Sequence, residues 1–264
     1  MWVMITDIRN VEDALRAWNR GADALGLLVK QADDFKTDFI SPKVATSITK
    51  YLSCVSQCPP PFKLQARQEH QYQYQPSSPS ANKERFCDSV LVTHLLDVQK
   101  IIGLASTIGV TAIQLVGNNS PEEVCTIKET LHDIKVIKSI PVIDDSCMDQ
   151  VKKYMEVVDA IELDTIDIAA NKFGGTGKTH DWDISKKIVQ EYEHKVPIIL
   201  AGGLHSDNIE QAIQTVKPFG VDVSSGIKHE DRRYIQNERL MTSFISKAKD
   251  FQYERSWQTT RSAS

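Results

Sequence analysis

Eight short, apolar, β-prone runs alternate with longer stretches whose apolar residues recur every three to four positions, and this pattern constrains the chain more than any other feature. The runs are residues 3–6, 24–29, 90–93, 112–116, 135–138, 160–164, 197–201 and 221–224. Most begin about 21 to 24 residues after their predecessor, the repeat expected when one compact helix follows each strand. A strand that must pair parallel to the next needs such a crossover, so the alternation predicts a parallel sheet of the α/β class. Eight units at this spacing predict a (β/α)8 TIM barrel, and 264 residues suffice for one as a single domain.

Several helical stretches carry start signals. Ser41-Pro42 opens 41–52, Ser120-Pro121-Glu122-Glu123 opens 120–133, and Ser206-Asp207-Asn208 opens 206–217. In each, a short polar side chain can accept from an orphan N–H of the first turn. Over 11–19, Val11, Ala14, Leu15 and Trp18 form one apolar stripe that Gly21 ends. The gap between the second and third runs is longer than a helix requires. Its extra part, about 54–86, holds Pro59-Pro60-Pro61, Gln71-Tyr72-Gln73-Tyr74-Gln75-Pro76 and Ser77-Ser78-Pro79-Ser80. So little aliphatic surface cannot offset ordering entropy, which predicts an exposed, mobile insertion in a barrel spanning 1–252, followed by a polar tail at 253–264.

Charge and cysteine usage exclude whole classes of function. Thirty-one Lys and Arg stand against 35 Asp and Glu, a net charge of −4, so a broad nucleic-acid-binding face is not expected. No apolar run reaches the roughly 18 to 20 residues a membrane span needs, and the first seven residues lack a basic leader, which together predict a cytoplasmic protein without a membrane partner. Five cysteines and seven histidines fall at no metal-ligand spacing, so neither a metal site nor a disulfide framework is expected.

Chemistry is expected at the ends of the later strands. Gly174-Gly175-Thr176-Gly177-Lys178-Thr179 invites a nucleotide-binding reading, but that motif needs glycine at 172, where Lys172 stands. Its glycines, Gly175 among them, instead let backbone approach a substrate. The seventh strand ends in Ala201-Gly202-Gly203-Leu204 and the eighth in Ser224-Ser225-Gly226. In barrels of this kind the loops after these two strands often cradle a phosphate with backbone N–H groups and a helix N-terminus, which predicts a phosphorylated small-molecule substrate.

These segments carry a family likeness. Residues 174–182, 200–204 and 220–226, with weaker echoes at Val11-Glu12-Asp13-Ala14, Gly21 to Gly26, Ile113-Gln114-Leu115 and Ile161-Glu162-Leu163-Asp164, resemble phosphoribosylanthranilate isomerases of tryptophan biosynthesis. The resemblance covers about residues 3 to 251 apart from the insertion. It implies an Amadori rearrangement of a phosphoribosylated aromatic amine, needing an acid for the ring oxygen, a base for the C2 proton and no cofactor. It places Asp164 as the acid, Asp222 beside the sugar, and Gly202, Gly203, Ser225 and Gly226 around the phosphate.

Three departures lie on the other side of the reaction. The family's Lys-Ile-Cys-Gly, with the cysteine as base, is matched by Met4-Ile5-Thr6-Asp7, and the Thr6 hydroxyl is no base near neutral pH. The family's Ser-Pro-Arg falls on Lys36-Thr37-Asp38, where Lys36 can offer only a point charge, and Gln-Leu-His-Gly becomes Gln114-Leu115-Val116-Gly117. Three readings remain open: an aldose–ketose isomerase with Asp7 as replacement base, a phosphosugar-binding pseudoenzyme, or a barrel acting on another phosphorylated substrate.

Overall fold

The computed structural model describes residues 1–29, 39–57, 87–167, 172–173, 179–229, 231 and 235–251. In chain order the elements are β1 (Trp2–Thr6), α1 (Val11–Arg20), β2 (Ala24–Leu28), α2 (Pro42–Gln57), β3 (Asp88–Thr93), α3 (Val98–Ile108), β4 (Ala112–Leu115), α4 (Pro121–Thr130), β5 (Lys135–Pro141), α5 (Cys147–Tyr154), β6 (Ala160–Asp164), β7 (Ile166–Asp167), β8 (Lys172–Phe173), α6 (Trp182–Tyr192), β9 (Ile198–Leu200), α7 (Ile209–Val216), β10 (Gly220–Val223) and α8 (Glu238–Asp250). Eight of the strands close into a parallel barrel in the order β1-β10-β9-β6-β5-β4-β3-β2, the (β/α)8 fold the spacing predicts. The pair β7 and β8 was not anticipated; it forms a separate antiparallel ladder with Ile166 opposite Phe173 and Asp167 opposite Lys172.

The chain divides into two compact units, Ile5–Lys138 and Met1–Met4 with Ser139–Ser264, and both divisions fall inside strands, β1 and β5. In the unit Ile5–Lys138, β2, β3 and β4 pair in register, with Leu25 opposite Ser89 and Leu91 opposite Ile113. Leu25, Leu27, Leu91, Ile113 and Leu115 are fully buried, since strands covered on both faces read as near-continuous apolar runs. Its helices start as their sequences dictate. Asn10 caps α1 by accepting from Asp13 N–H at 2.8 Å, and Asp97 caps α3 by accepting from Lys100 N–H at 3.1 Å. Ser120 and Glu123 form a reciprocal capping box on α4, with bonds of 3.3 and 2.7 Å. Ser41 accepts from Val44 N–H at 3.3 Å, but α2 runs on to Gln57, four residues into the stretch expected to begin the insertion. The remaining insertion, 58–86, and the tail from 252 lie outside the described residues.

In the other unit, β6, β9 and β10 pair in register, with Leu163 opposite Leu200 and Val221 also opposite Leu200. The first residues of the chain join this unit: Trp2 packs its ring 6.3 Å from Phe219 and donates its N–H to the Phe219 carbonyl. Asp181 caps α6 and Asn237 caps α8. The expected cap at 206–217 is corrected. The helix begins only at Ile209, and no side chain of Ser206, Asp207 or Asn208 caps it. The Asn208 side chain turns back into the preceding loop instead. Among the described residues no helix is long and apolar enough to cross a membrane, and no cluster of His, Cys, Asp and Glu is placed to hold a metal ion.

Candidate active site

The loop after β9 is built by glycine geometry. Gly202 and Gly203 have φ of 81° and 65°, values that a side chain resists, so they carry the chain through a left-handed turn. A Cβ on Gly202 would sit 2.1 Å from Thr165 Oγ1, so the turn also packs against the residue that follows β6. A Cβ on Gly226 would lie 1.9 Å from the Leu204 carbonyl oxygen, and Gly226 bridges in parallel to His205. The two glycine loops expected to hold phosphate therefore lie against one another, Gly226 leaving room for the backbone of the first loop at Leu204. Asn208 fixes the first of them, donating from Nδ2 to the Gly203 carbonyl at 3.0 Å and accepting the His205 N–H at 2.8 Å. Lys247 Nζ adds a bond of 2.8 Å to the Ser206 carbonyl.

Beyond β10, Ser225 opens a turn in which its carbonyl accepts from Lys228 N–H at 3.2 Å. The short stretch 224–229 pairs with the approach to α8, Asn237 N–H donating to the Ile227 carbonyl at 2.6 Å and Lys228 bridging to Gln236. Asp222, within β10, is buried.

Asp164 is the last residue of β6. Its backbone is held on both sides, the Asp164 carbonyl accepting from Val142 N–H at 2.9 Å and the Leu163 carbonyl from Ala201 N–H at 2.8 Å. Burial pushes its carboxyl up to about 6, opposed by the Thr165 N–H, which donates to Oδ1 at 2.7 Å. An acid in this range is present in both protonation states near neutrality, which is what proton transfer requires. Just beyond, His180 places Nδ1 3.0 Å from Thr165 Oγ1 and Nε2 2.6 Å from Ser185 Oγ, a contact the sequence reading had not singled out.

In the unit Ile5–Lys138, Thr6 ends β1 with Oγ1 turned toward Gly26, where a Cβ would come within 2.4 Å of it. Asp7 follows with φ of 70°, a left-handed conformation costing a non-glycine residue about 1 kcal/mol. It is 2% exposed, and Arg9 Nε lies 3.5 Å from its Oδ1. Strain of this kind persists only where surrounding structure imposes it, and such residues cluster at functional sites. Gln114 is buried in β4, and Val116 donates its N–H to the Thr93 carbonyl. Lys138, not recognised in sequence beyond its place in a strand, is buried and donates to the carbonyls of Leu115 and Gly117 at 3.2 and 3.0 Å. Two of the described thiols are unsuited to replace the cysteine base: burial pushes Cys147 up to about 11, and Cys87 is buried against the Ala22 carbonyl. Lys36 and Gly175 lie outside the described residues.

The class is that of (β/α)8 barrels with glycine turns after the seventh and eighth barrel strands, the positions such barrels use for phosphate. Comparison with known proteins narrows it. The sequence profile of the family described as N-(5'phosphoribosyl)anthranilate (PRA) isomerase matches residues 43–247. The chain is 36% identical over 250 residues to N-(5'-phosphoribosyl)anthranilate isomerase 2 of Methanosarcina mazei, covering 95% of each. It is 32% identical over 247 residues to the isomerase of Methanocella arvoryzae, covering 94% of this chain and 97% of that one. Among solved structures, phosphoribosyl anthranilate isomerase from Thermotoga maritima is similar with a TM-score of 0.69 and 30% identity, over 95% of this chain and all of that one. An isomerase structure in complex with reduced 1-(o-carboxyphenylamino)-1-deoxyribulose 5-phosphate matches with a TM-score of 0.66 and 28% identity, over the same shares. The chain belongs to the phosphoribosylanthranilate isomerase family.

Proposed function

We propose that this protein converts N-(5'-phosphoribosyl)anthranilate into 1-(o-carboxyphenylamino)-1-deoxyribulose 5-phosphate, the activity its relatives are named for. The observation that carries the reading is the Asp164 carboxyl, pushed up to about 6 at the end of β6, in the residue preceding the one packed against Gly202. Asp164 gives its proton to the furanose ring oxygen, the C1–O bond breaks, and an open-chain iminium forms between C1 and the amine. A base then takes the C2 proton, and the resulting enolamine tautomerises to the C2 ketone. Asp7 is assigned to that step. Its strained backbone, its burial and the partnering Arg9 support a carboxylate kept in a fixed pose next to Thr6, which holds the aligned position without the required basicity.

The phosphate is assigned to the adjoining turns of Gly202, Gly203, Ser225 and Gly226, where backbone N–H groups serve as donors and no cofactor is required. Asp222 is assigned to the sugar, Gly175 to contact with the substrate, and Lys36 to the anthranilate carboxylate as a point charge. Nothing in the fold or in the relatives favours a silent barrel or a different phosphorylated substrate.

The test is turnover of freshly prepared N-(5'-phosphoribosyl)anthranilate, followed by fluorescence of the anthranilate group, with Asp164→Asn and Asp7→Asn beside the wild type. Activity lost in both variants, with affinity for the reduced product analogue kept, supports the assignment. Full turnover in Asp7→Asn would assign the base elsewhere.

A further inference from the structure

We infer that His180 is a positioning residue for the reaction, a neutral imidazole strut that reaches Asp164 through Thr165 and ties it to the first helical turns of α6. The inference rests on the reading of Asp164 as the acid and adds to it a residue that touches no substrate.

Thr165 sits at a junction of three contacts. Its N–H donates to Asp164 Oδ1 at 2.7 Å, its Oγ1 meets His180 Nδ1 at 3.0 Å, and the same hydroxyl occupies the space that a side chain on Gly202 would claim. One residue thus touches both the acid and the proposed phosphate turn. His180 makes the link directional. It lies fifteen residues along the chain from Thr165 and is anchored at its other nitrogen by Ser185, which is fully buried in α6.

A neutral imidazole has one N–H and one lone pair, so two hydroxyls at its two nitrogens order a single chain in which one accepts and the other donates. A charged ring would donate at both ends and break that alternation. Burial favours the neutral form and pushes His180 down to about 4, with only the neighbouring Asp181 charge pulling the other way. The strut therefore keeps one state across the pH range in which Asp164 titrates. Anchoring the Thr165 hydroxyl holds that residue in place, and its backbone N–H in turn directs the Asp164 carboxyl. Misplacement of a reacting group by about 1 Å can cost on the order of a hundredfold in rate.

The test compares His180→Phe, Thr165→Val, their double variant, Thr165→Ser and Ser185→Ala with the wild type and with Asp164→Asn. His180→Phe and Thr165→Val are each expected to lower kcat by about ten- to a hundredfold with KM changed less than about threefold. The double variant should fall no further than the worse single one, because both break the same chain. Thr165→Ser, which keeps the hydroxyl, should restore most of the loss, and Ser185→Ala should lower kcat by a smaller factor without removing the ring. Nitrogen NMR of the histidine ring should show one neutral tautomer in the wild type down to about pH 5, and a mixture in Thr165→Val. Unchanged kcat in folded His180→Phe and in Ser185→Ala, with Asp164→Asn inactive, overturns the strut and leaves the acid assignment standing. Full activity in Asp164→Asn overturns both.

Discussion

The two compact units differ in how they meet the family pattern. In the unit of Met1–Met4 and Ser139–Ser264, the glycine turns, Asp164 and Asp222 are the positions at which the sequence resembles the family. In the unit Ile5–Lys138 the sequence departs from it, with Thr6 where the resemblance calls for the base and Val116 where it calls for a histidine. The difference follows from what each part is made of. A phosphate cradle of backbone N–H groups depends on chain conformation, and conformation here depends on glycines that clash if any side chain is added. A base or a carboxylate clamp is one side chain, and a neighbouring position can take over the role at moderate cost.

The contrast breaks most visibly at Asp164. Replacing it by Asn removes the proposed acid, and kcat should fall by about a thousandfold in the fluorescence assay. The same variant reports on pH. An acid whose folded value is raised binds its proton more tightly when folded, so stability declines as pH rises from 3.8 through about 6 and the full penalty holds above that. Asp164→Asn should therefore be more stable than the wild type at pH 8, by about 1–3 kcal/mol in urea unfolding, with the gap closing toward pH 4. Wild-type kcat/KM should fall as pH rises through about 6.

In the divergent half, Asp7→Asn should lower kcat by about a hundredfold with affinity for the product analogue retained. An equal drop in affinity would place Asp7 in binding rather than proton transfer. Gly226→Ala tests the conformational claim. Its methyl would meet the Leu204 carbonyl, so the adjoining turns must part; KM should rise about tenfold and stability fall by about 2–3 kcal/mol, read by steady-state kinetics and urea unfolding. The smallest effect sharpens the comparison from outside the chemistry: Ser120→Ala removes the α4 capping box and should cost about 1 kcal/mol of stability at unchanged kcat and KM.

Periodic features were legible in the sequence. All eight barrel strands lie where apolar runs predict them, β6 at the same residues, because strands buried on both faces are rich in apolar residues. Ser120 was readable as a cap because its partner Glu123 is three residues away. Asn208 was not, because Ser206-Asp207-Asn208 offers three equivalent candidates and the Gly203 loop, a tertiary demand, decides between them. His180 showed no signal for a similar reason: its partners precede it by fifteen residues and follow it by five, matching no helix or strand period. The left-handed turn at Asp7 was equally hidden, since nothing in Thr6-Asp7-Ile8 requires it.

The packing of Trp2 against Phe219 has a consequence for how the chain reaches this state. A strand near one end of the sequence completes its unit only with partners some two hundred residues further on. Such distant pairing adds little to the equilibrium cost of closing the loop, which grows only logarithmically, but it slows the search. During vectorial synthesis Val3 and Met4, fully buried in the folded protein, gain their full cover only once β10 has been made. That interval, rather than the folded barrel, is where the chain is most open to aggregation.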